Sequence, residues 1–353
     1  MKFPALAKTL GSLLVARATG GRKLLSLYFI LTERCPNTCL YCGYRDSIGN
    51  RALAAKEMST AQILKILAEA AAMGCQKIQI SGGEPLARSD LGEIVAAAKS
   101  LGLFVGLSTS GVGLPARIDA LAGLDLAFIS LDGPPEIHNR NRGKADFDAA
   151  SNAVALFRAR GKRVFTTTVL NRNNLGAIDF VLDFARRNGT LANFVFCNSH
   201  TDPDEKSHLP KADDLGDTLL TPEEIHGAIA LLARRKSEGA PIGSSLPYLD
   251  YMKRWPDYGV SYLEGPHDGV DCSAGRFYAY LFPDGTLYPC GDLYWRQKGR
   301  SAVALGLAGA FQDLDAIPCR SCRTACYVEQ NLVFGLNARA GMNWMNMKLK
   351  GYW

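Results

Sequence analysis

The chain has 353 residues, 47% of them hydrophobic and 21% charged, and carries a net charge of +6. That length suits one large α/β domain with a smaller region attached, and so mild a basic excess admits an anionic cofactor or substrate without arguing for nucleic acid. No apolar run approaches the roughly 20 residues that cross a bilayer, and no secretory signal is visible, so the sequence predicts a cytoplasmic protein.

Residues 3–17 place Phe3, Leu6, Leu10, Leu13 and Leu14 on one helical face between Lys8 and Arg17. Residues 1–24 therefore read as an amphipathic helix that packs against the rest of the chain. A peripheral membrane contact is the weaker reading, because one short stripe and two cations make a weak anchor. LLSLYFIL (24–31) is a strand running straight into the segment TERCPNTCLYCGYR. Residues 59–73 form a helix with Ser59 and Gln62 spaced as a capping box and Gly74 as its stop. Then follow strand 77–81, helix 89–101, strand 104–108, a short helix near 115–122, strand 126–131, helix 146–160, strand 163–170, helix 174–187 and strand 193–196. Strands alternating with helices of this length imply right-handed βαβ units and a parallel sheet with six repeats.

Residues 198–220 are polar and read as a loop. Thr221 and Glu224 open a helix over 221–237 by a second capping box. The first unit thus spans 25–239. Residues 240–265, rich in Gly, Pro and Tyr, read as a linker or substrate-side loop. In the last region, 266–353, FYAYLFPDGTLYPC alternates across a Pro-Asp-Gly turn, which predicts a hairpin. The tail MNWMNMKLKGYW mixes large apolar groups with cations and reads as a cover over one opening of the fold.

The ten cysteines do not form a disulfide framework. Eight fall in two groups, Cys35, Cys39 and Cys42, then Cys272, Cys290, Cys319, Cys322 and Cys326, a pattern that reads as metal ligation. Three thiolates on one tight loop cannot complete a four-ligand zinc site or hold every iron of a cubane cluster. One iron is then left open to a small ligand. The loop, SGGEP (81–85), TSG (109–111) and SLDGP (130–134) all sit at C-terminal strand ends, where parallel sheets bind ligands.

Cys35, Cys39 and Cys42, with Tyr41 just before the third, resemble the cysteine motif of the radical S-adenosylmethionine (SAM) superfamily. The resemblance implies a partial (β/α)6 TIM-like barrel and a [4Fe–4S] cluster whose fourth iron chelates SAM. Reductive cleavage would give a 5′-deoxyadenosyl radical that abstracts hydrogen from a substrate C–H bond. The resemblance further implies that Gly82 and Gly83 let the backbone approach the ligand, that Glu84 accepts from the methionine ammonium, and that Thr109 and Ser110 take the place of the ribose-contacting turn. Ser130 and Arg142 map to residues that contact the SAM carboxylate, with Arg140 competing for the second role. The later cysteines resemble the auxiliary-cluster region of the SPASM/twitch branch. Five are too few for two fully ligated cubanes, so one auxiliary [4Fe–4S] cluster is expected, on Cys272, Cys290, Cys319 and Cys322 with Cys326 as the spare. Spacing alone leaves a structural zinc site open there.

The expected protein is a radical SAM oxidoreductase with a small twitch- or SPASM-like extension. Its partners would be a substrate and a reductant such as flavodoxin or ferredoxin. The short segment before the first strand favours a small-molecule or lipid-like substrate over a ribosomal peptide. A non-catalytic iron–sulfur electron carrier is the competing function. Cys197, ending the sixth strand, is a candidate hydrogen-atom donor and Asp132 a candidate substrate-side base. Cys75 reads as core packing.

Overall fold

The computed structural model describes residues 11, 13–143, 146–199, 210–317 and 319–350. A nine-stranded sheet runs through it in the order β10-β9-β8-β1-β2-β3-β4-β5-β6. The six expected strands are β1 (Ser26–Ile30), β2 (Lys77–Ser81), β3 (Phe104–Thr109), β4 (Leu126–Ser130), β5 (Arg163–Leu170) and β6 (Leu191–Phe196), each parallel to its neighbour.

Alternation along these strands separates two environments. Leu27, Phe29, Ile78, Ile80, Val105, Leu107, Ala127 and Ile129 face outward and share one core with the helices. Those helices include α2 (Thr60–Ala72), α3 (Leu91–Ser100), α5 (Phe147–Ala159) and α6 (Ile178–Arg187). The residues between them, such as Tyr28, Gln79, Phe128 and Ser130, therefore line the barrel interior. Both predicted capping boxes form, Ser59 with Gln62 on α2 and Thr221 with Glu224 on α8 (Pro222–Ser237). Each satisfies two backbone donors that the helix start leaves open.

Several expectations need correction. Helix 174–187 begins as a 3-10 turn, Leu175–Ala177, and the expected helix near 115–122 is only the 3-10 turn Ile118–Leu121. Three short helices were not foreseen: α1 (Arg51–Lys56), α4 (Pro135–Arg142) and α7 (Ala212–Leu215). The supposed linker 240–265 holds a real helix, α9 (Leu246–Lys253), started by the Ser245 side chain accepting from the Tyr248 amide. It is followed by the short strand β7 (Tyr262–Leu263).

The late region is not a separate layer. Its hairpin, β8 (Tyr278–Leu281) and β9 (Thr286–Tyr288), joins the barrel sheet, because β8 pairs parallel with β1, Tyr280 opposite Tyr28. The edge strand β10 (Arg300–Ser301) leads into α10 (Ala302–Gln312), which packs on the outer core. A two-residue strand, β11 (Ser321–Cys322), pairs with β7. It leads into α11 (Ala325–Phe334), which spans the gap between the barrel edges. Tyr327 and Phe334 pack with Tyr28, Tyr278 and Tyr280, while Val328 and Leu332 pack with Phe194 and Phe196 of β6. The Tyr28 hydroxyl donates to Gln330 of the same helix.

The last helix, α12 (Ala338–Leu349), places Trp344 and Met347 against Leu126, Phe165 and Leu191, near the N-terminal strand ends. The tail is thus a stopper for the bottom of the barrel. At the other end of the chain, residues 13–19 are helical, with Leu13 and Ala16 buried against the β8 aromatics. The remainder of the N-terminal apolar stripe lies outside the described residues. No helix among the described residues is long and apolar enough to cross a membrane.

Candidate functional site

The cysteine loop leaves the C-terminal end of β1 and is folded into a cup by its own backbone. The Asp46 amide donates to the Asn37 carbonyl at 2.7 Å, and the Ser47 amide to the Cys35 carbonyl at 2.9 Å. The Ser47 hydroxyl accepts from the Cys35 amide at 2.9 Å. All three thiols are free, as are the other seven. Burial pushes the Cys35 thiol up to about 12 and that of Cys42 to about 11, so without a metal these groups are neutral. A bound cation would reverse that, since metal ligation requires thiolates.

Two glycine contacts explain how the cup is held. Gly82 sits at φ +139°, and a Cβ there would lie 2.2 Å from the Thr32 carbonyl oxygen. A Cβ on Gly83 would lie 2.4 Å from the Arg34 carbonyl oxygen. The Gly83 amide donates to the Thr32 carbonyl at 2.7 Å and the Glu84 amide to the Arg34 carbonyl at 2.9 Å. The glycines therefore let the β2 turn lie directly on the stem of the cysteine loop. On the other side the Leu40 amide donates to Asn141 of α4 at 2.9 Å, and Gly143 approaches so closely that its Cβ would sit 1.8 Å from Thr38 Oγ1.

Glu84 is 2% exposed and its carboxylate is fully engaged. Oε1 accepts from the Leu86 amide at 3.1 Å and Thr109 Oγ1 at 2.6 Å; Oε2 accepts from the Ser110 amide at 2.8 Å and Ser110 Oγ at 2.6 Å. Four donors fill the acceptor capacity of a carboxylate. The structure thus brings Glu84, Thr109 and Ser110 together as each other's partners. Desolvation raises the Glu84 pKa, and these donors oppose the rise.

Asp132 and Arg142 are also committed. Arg142 Nε donates to Oδ2 at 2.9 Å and its terminal nitrogen to Oδ1 at 3.0 Å. The Val169 amide donates to Oδ1 at 3.0 Å, and the Tyr41 hydroxyl donates to Oδ2. Burial disfavours the guanidinium charge, but Asp132, Tyr41 and Cys39 outweigh it and raise the Arg142 pKa. The expectation of a free base at Asp132 is corrected: with 0% exposure and four donors it is a brace between β4, β5 and the cysteine loop. The Arg142 fork, expected to face a carboxylate of SAM, is satisfied by this protein carboxylate instead. Ser130, half-buried on the interior face at the end of β4, has no such commitment. Arg140 lies on the same short helix near its exposed end.

The late cysteines converge from three segments. Cys272 follows the β7 region, Cys290 follows β9, and Cys319 and Cys322 flank β11. Each is buried enough for its thiol to be raised by desolvation, and Cys272 further raises the other three. Four crowded thiols that repel one another as thiolates are what a multi-iron group would stabilise. Cys326 stands apart. Its strongest neighbours are Asp292 and Lys77, and it acts on Tyr28 and Tyr280, which places it toward the barrel interior. Among the described residues no three His, Cys, Asp or Glu groups converge on a single metal ion. That fits thiols spread over a cluster and not a lone zinc.

Cys197 falls on the interior face just beyond β6, and its thiol is pushed up to about 12 by burial. Cys75 is buried core, its thiol near the Leu25 and Lys77 carbonyls. Reading the sequence did not single out Glu57, which accepts from Thr32, Arg34 and Arg88 beneath the cysteine loop. Arg323 and Tyr248, beside Cys197, were also missed; the cysteines around Arg323 drew the attention.

The radical SAM superfamily model matches residues 29–185. The PqqA peptide cyclase of Ruegeria pomeroyi (strain ATCC 700808 / DSM 15171 / DSS-3) is 32% identical over 310 residues, covering 83% of this chain and 78% of that protein. The PqqA peptide cyclase of Methylobacterium sp. (strain 4-46) is 30% identical over 321 residues, covering 83% and 76%. Among solved structures, Streptococcus suis SuiB bound to S-adenosylmethionine superposes with a TM-score of 0.62 at 16% identity, over 83% of this chain and 67% of SuiB. The structure of anSMEcpe with bound AdoMet gives 0.62 at 16% identity, over 87% and 83%. At such identities the structural likeness establishes the fold.

Proposed function

Because the chain belongs to the radical SAM superfamily, in its SPASM/twitch branch, we propose that it functionalises a C–H bond of a ribosomally made peptide. The cofactors of that branch are a SAM-binding [4Fe–4S] cluster, SAM and an auxiliary cluster. The peptide replaces the small or lipid-like substrate first expected. Its support is the relatives' naming as peptide cyclases, at about one-third identity over most of both chains.

The observation that carries the reading is the cup of three free thiols at the C-terminal end of β1, clamped by the β2 glycine turn. Cys35, Cys39 and Cys42 would hold the radical-generating cluster and leave one iron position open. When bound there, SAM supplies a 5′-deoxyadenosyl radical that removes a hydrogen atom from the substrate. The chain's own residues build the environment for that step. The Glu84–Thr109–Ser110 knot keeps the β2 and β3 ends rigid beside the cup. Asp132 and Arg142 hold Tyr41 and so fix the side of the loop that carries Cys39 and Cys42. The Ser130 hydroxyl is the polar group free to orient SAM. Stoppered below by α12 and closed on its open side by α11, the barrel excludes water from a reactive intermediate. Cys272, Cys290, Cys319 and Cys322 would hold the auxiliary cluster.

The test is anaerobic reconstitution with iron and sulfide, then SAM and dithionite, with 5′-deoxyadenosine measured by liquid chromatography. Candidate precursor peptides are then added and their mass followed. Deoxyadenosine formation with a peptide mass change supports the reading. Loaded clusters with no deoxyadenosine would instead favour an electron carrier.

A further inference from the structure

Three arginines are buried among the described residues: Arg88, Arg142 and Arg323. Arg88 is held by Glu57, Asp90 and the Met58 carbonyl, and Arg142 by Asp132. Arg323 is 8% exposed, yet its side chain makes no hydrogen bond or ion pair with any described residue, and its Nε is wholly buried without a partner. A guanidinium carries five donors and cannot shed its charge. Leaving it buried and unpaired is strongly unfavourable, so such a group ordinarily has an anion.

Its surroundings narrow the kind of anion. Arg323 lies between β11 and α11, and Arg323 is the first-ranked charged influence on Cys197, at the interior end of β6. The first-ranked charged influences on Cys322, its sequence neighbour, are Cys272, Asp292 and Cys290. The guanidinium is therefore directed toward the barrel mouth and away from the auxiliary cysteines. Tyr248 of α9 is 1% exposed, its hydroxyl lacks a partner, and it feels the Arg323 charge. Two unfilled donor groups thus meet beside Cys197. Asp257 and Glu329 lie near the pair, Asp257 acting on Arg323 and Glu329 on Tyr248, so a doubly charged anion would be repelled.

We propose that Arg323 and Tyr248 form a subsite for one carboxylate of the substrate peptide, an acidic side chain or a free C-terminus, seated at the barrel mouth beside Cys197. The proposal rests on the peptide reading above and deepens it. A guanidinium offers paired donors to a carboxylate, and the tyrosine hydroxyl adds a third. Neither is a catalytic residue; both position the peptide.

The test uses the full chain, reconstituted with its clusters and SAM. Three probes are titrated by ligand-observed saturation-transfer NMR: N-acetyl-Ala-Glu-Ala-amide, N-acetyl-Ala-Gln-Ala-amide, and N-acetyl-Ala-Gln-Ala with a free C-terminus. At least ten-fold tighter binding of one of the acidic probes over the neutral amide is expected, and whichever it is identifies the source of the carboxylate. Arg323→Gln should erase the preference, Arg323→Lys should keep part of it, and Tyr248→Phe should weaken it several-fold. Electron paramagnetic resonance of the reduced auxiliary cluster should be the same in all three variants. Equal binding of the probes, no binding of any, or a preference that survives Arg323→Gln overturns the proposal. So does a variant that shifts the cluster signal or weakens SAM binding and leaves the preference intact. Deoxyadenosine formation, measured on the same wild-type sample, reports on the parent reading alone, so the two failures are distinguishable.

Discussion

Arg142 grips Asp132 through two parallel hydrogen bonds of 2.9 and 3.0 Å, and the pair is sealed from solvent beneath the cysteine loop. Breaking a buried ion pair by removing one charge typically destabilises by about 3–5 kcal/mol. Asp132→Asn is therefore expected to lower stability by about that amount and to loosen Tyr41. Denaturant unfolding of the anaerobic protein measures it. Normal stability with abolished substrate turnover would instead restore Asp132 as a base.

Gly143 and Gly113 both have positive φ, +62° and +78°, but differ in what surrounds them. An added Cβ meets Thr38 of the cysteine loop at 1.8 Å in the first case and nothing within 4 Å in the second. Gly113→Ala should cost only the backbone strain, about 1–2 kcal/mol. Gly143→Ala should displace the loop and deplete the radical cluster while the auxiliary one persists. Iron analysis and paramagnetic resonance on the two variants separate strain from displacement.

The late cysteines should divide four against one. Cys322→Ser is expected to remove the auxiliary cluster signal, because Cys322 is crowded by Cys272 and Cys290. Cys326→Ser, aimed at Lys77, should leave that signal in place. Loss of the signal in both variants would show that Cys326 is a ligand.

Glu329 gives a pH dependence with a definite sign. Burial raises its pKa from 4.5 to about 7, opposed by bonds to Ser245 and by Lys236. A carboxyl with a raised folded-state value binds more protons folded than unfolded, so its contribution is complete below 4.5 and is lost as pH rises through about 7. The urea midpoint should fall between pH 5 and 8, and Glu329→Gln should flatten that slope. An unchanged slope in the variant would assign the dependence to other groups.

The six βα repeats were legible because outward strand faces carry Leu, Ile and Val while intervening helices are capped by Ser59 and Thr221. The placement of Gly82, Glu84, Thr109 and Ser130 at strand ends followed from the same pattern. What the glycines touch did not, since a glycine in sequence shows freedom and not the Thr32 and Arg34 carbonyls that occupy it. The parallel pairing of β8 with β1 was hidden because Tyr28 and Tyr280 meet only through tertiary closure. Helix α9 was masked by Gly, Pro and Tyr, although Ser245 and Pro247 make a sound helix start. Arg320 and Arg323 look alike in sequence. One pairs with Asp271 at the surface and the other is buried alone, a difference set by the turn between β11 and α11.

Trp344 and Met347 seal the floor of the barrel against Leu126, Phe165 and Leu191. A vessel with a floor cannot be threaded. A long chain can offer it only a bent loop or a loose end, which enters and withdraws by the same rim. Only a short stretch of any polymer therefore sits within reach of the radical at one time, and modifying a second position requires the chain to let go and dip again.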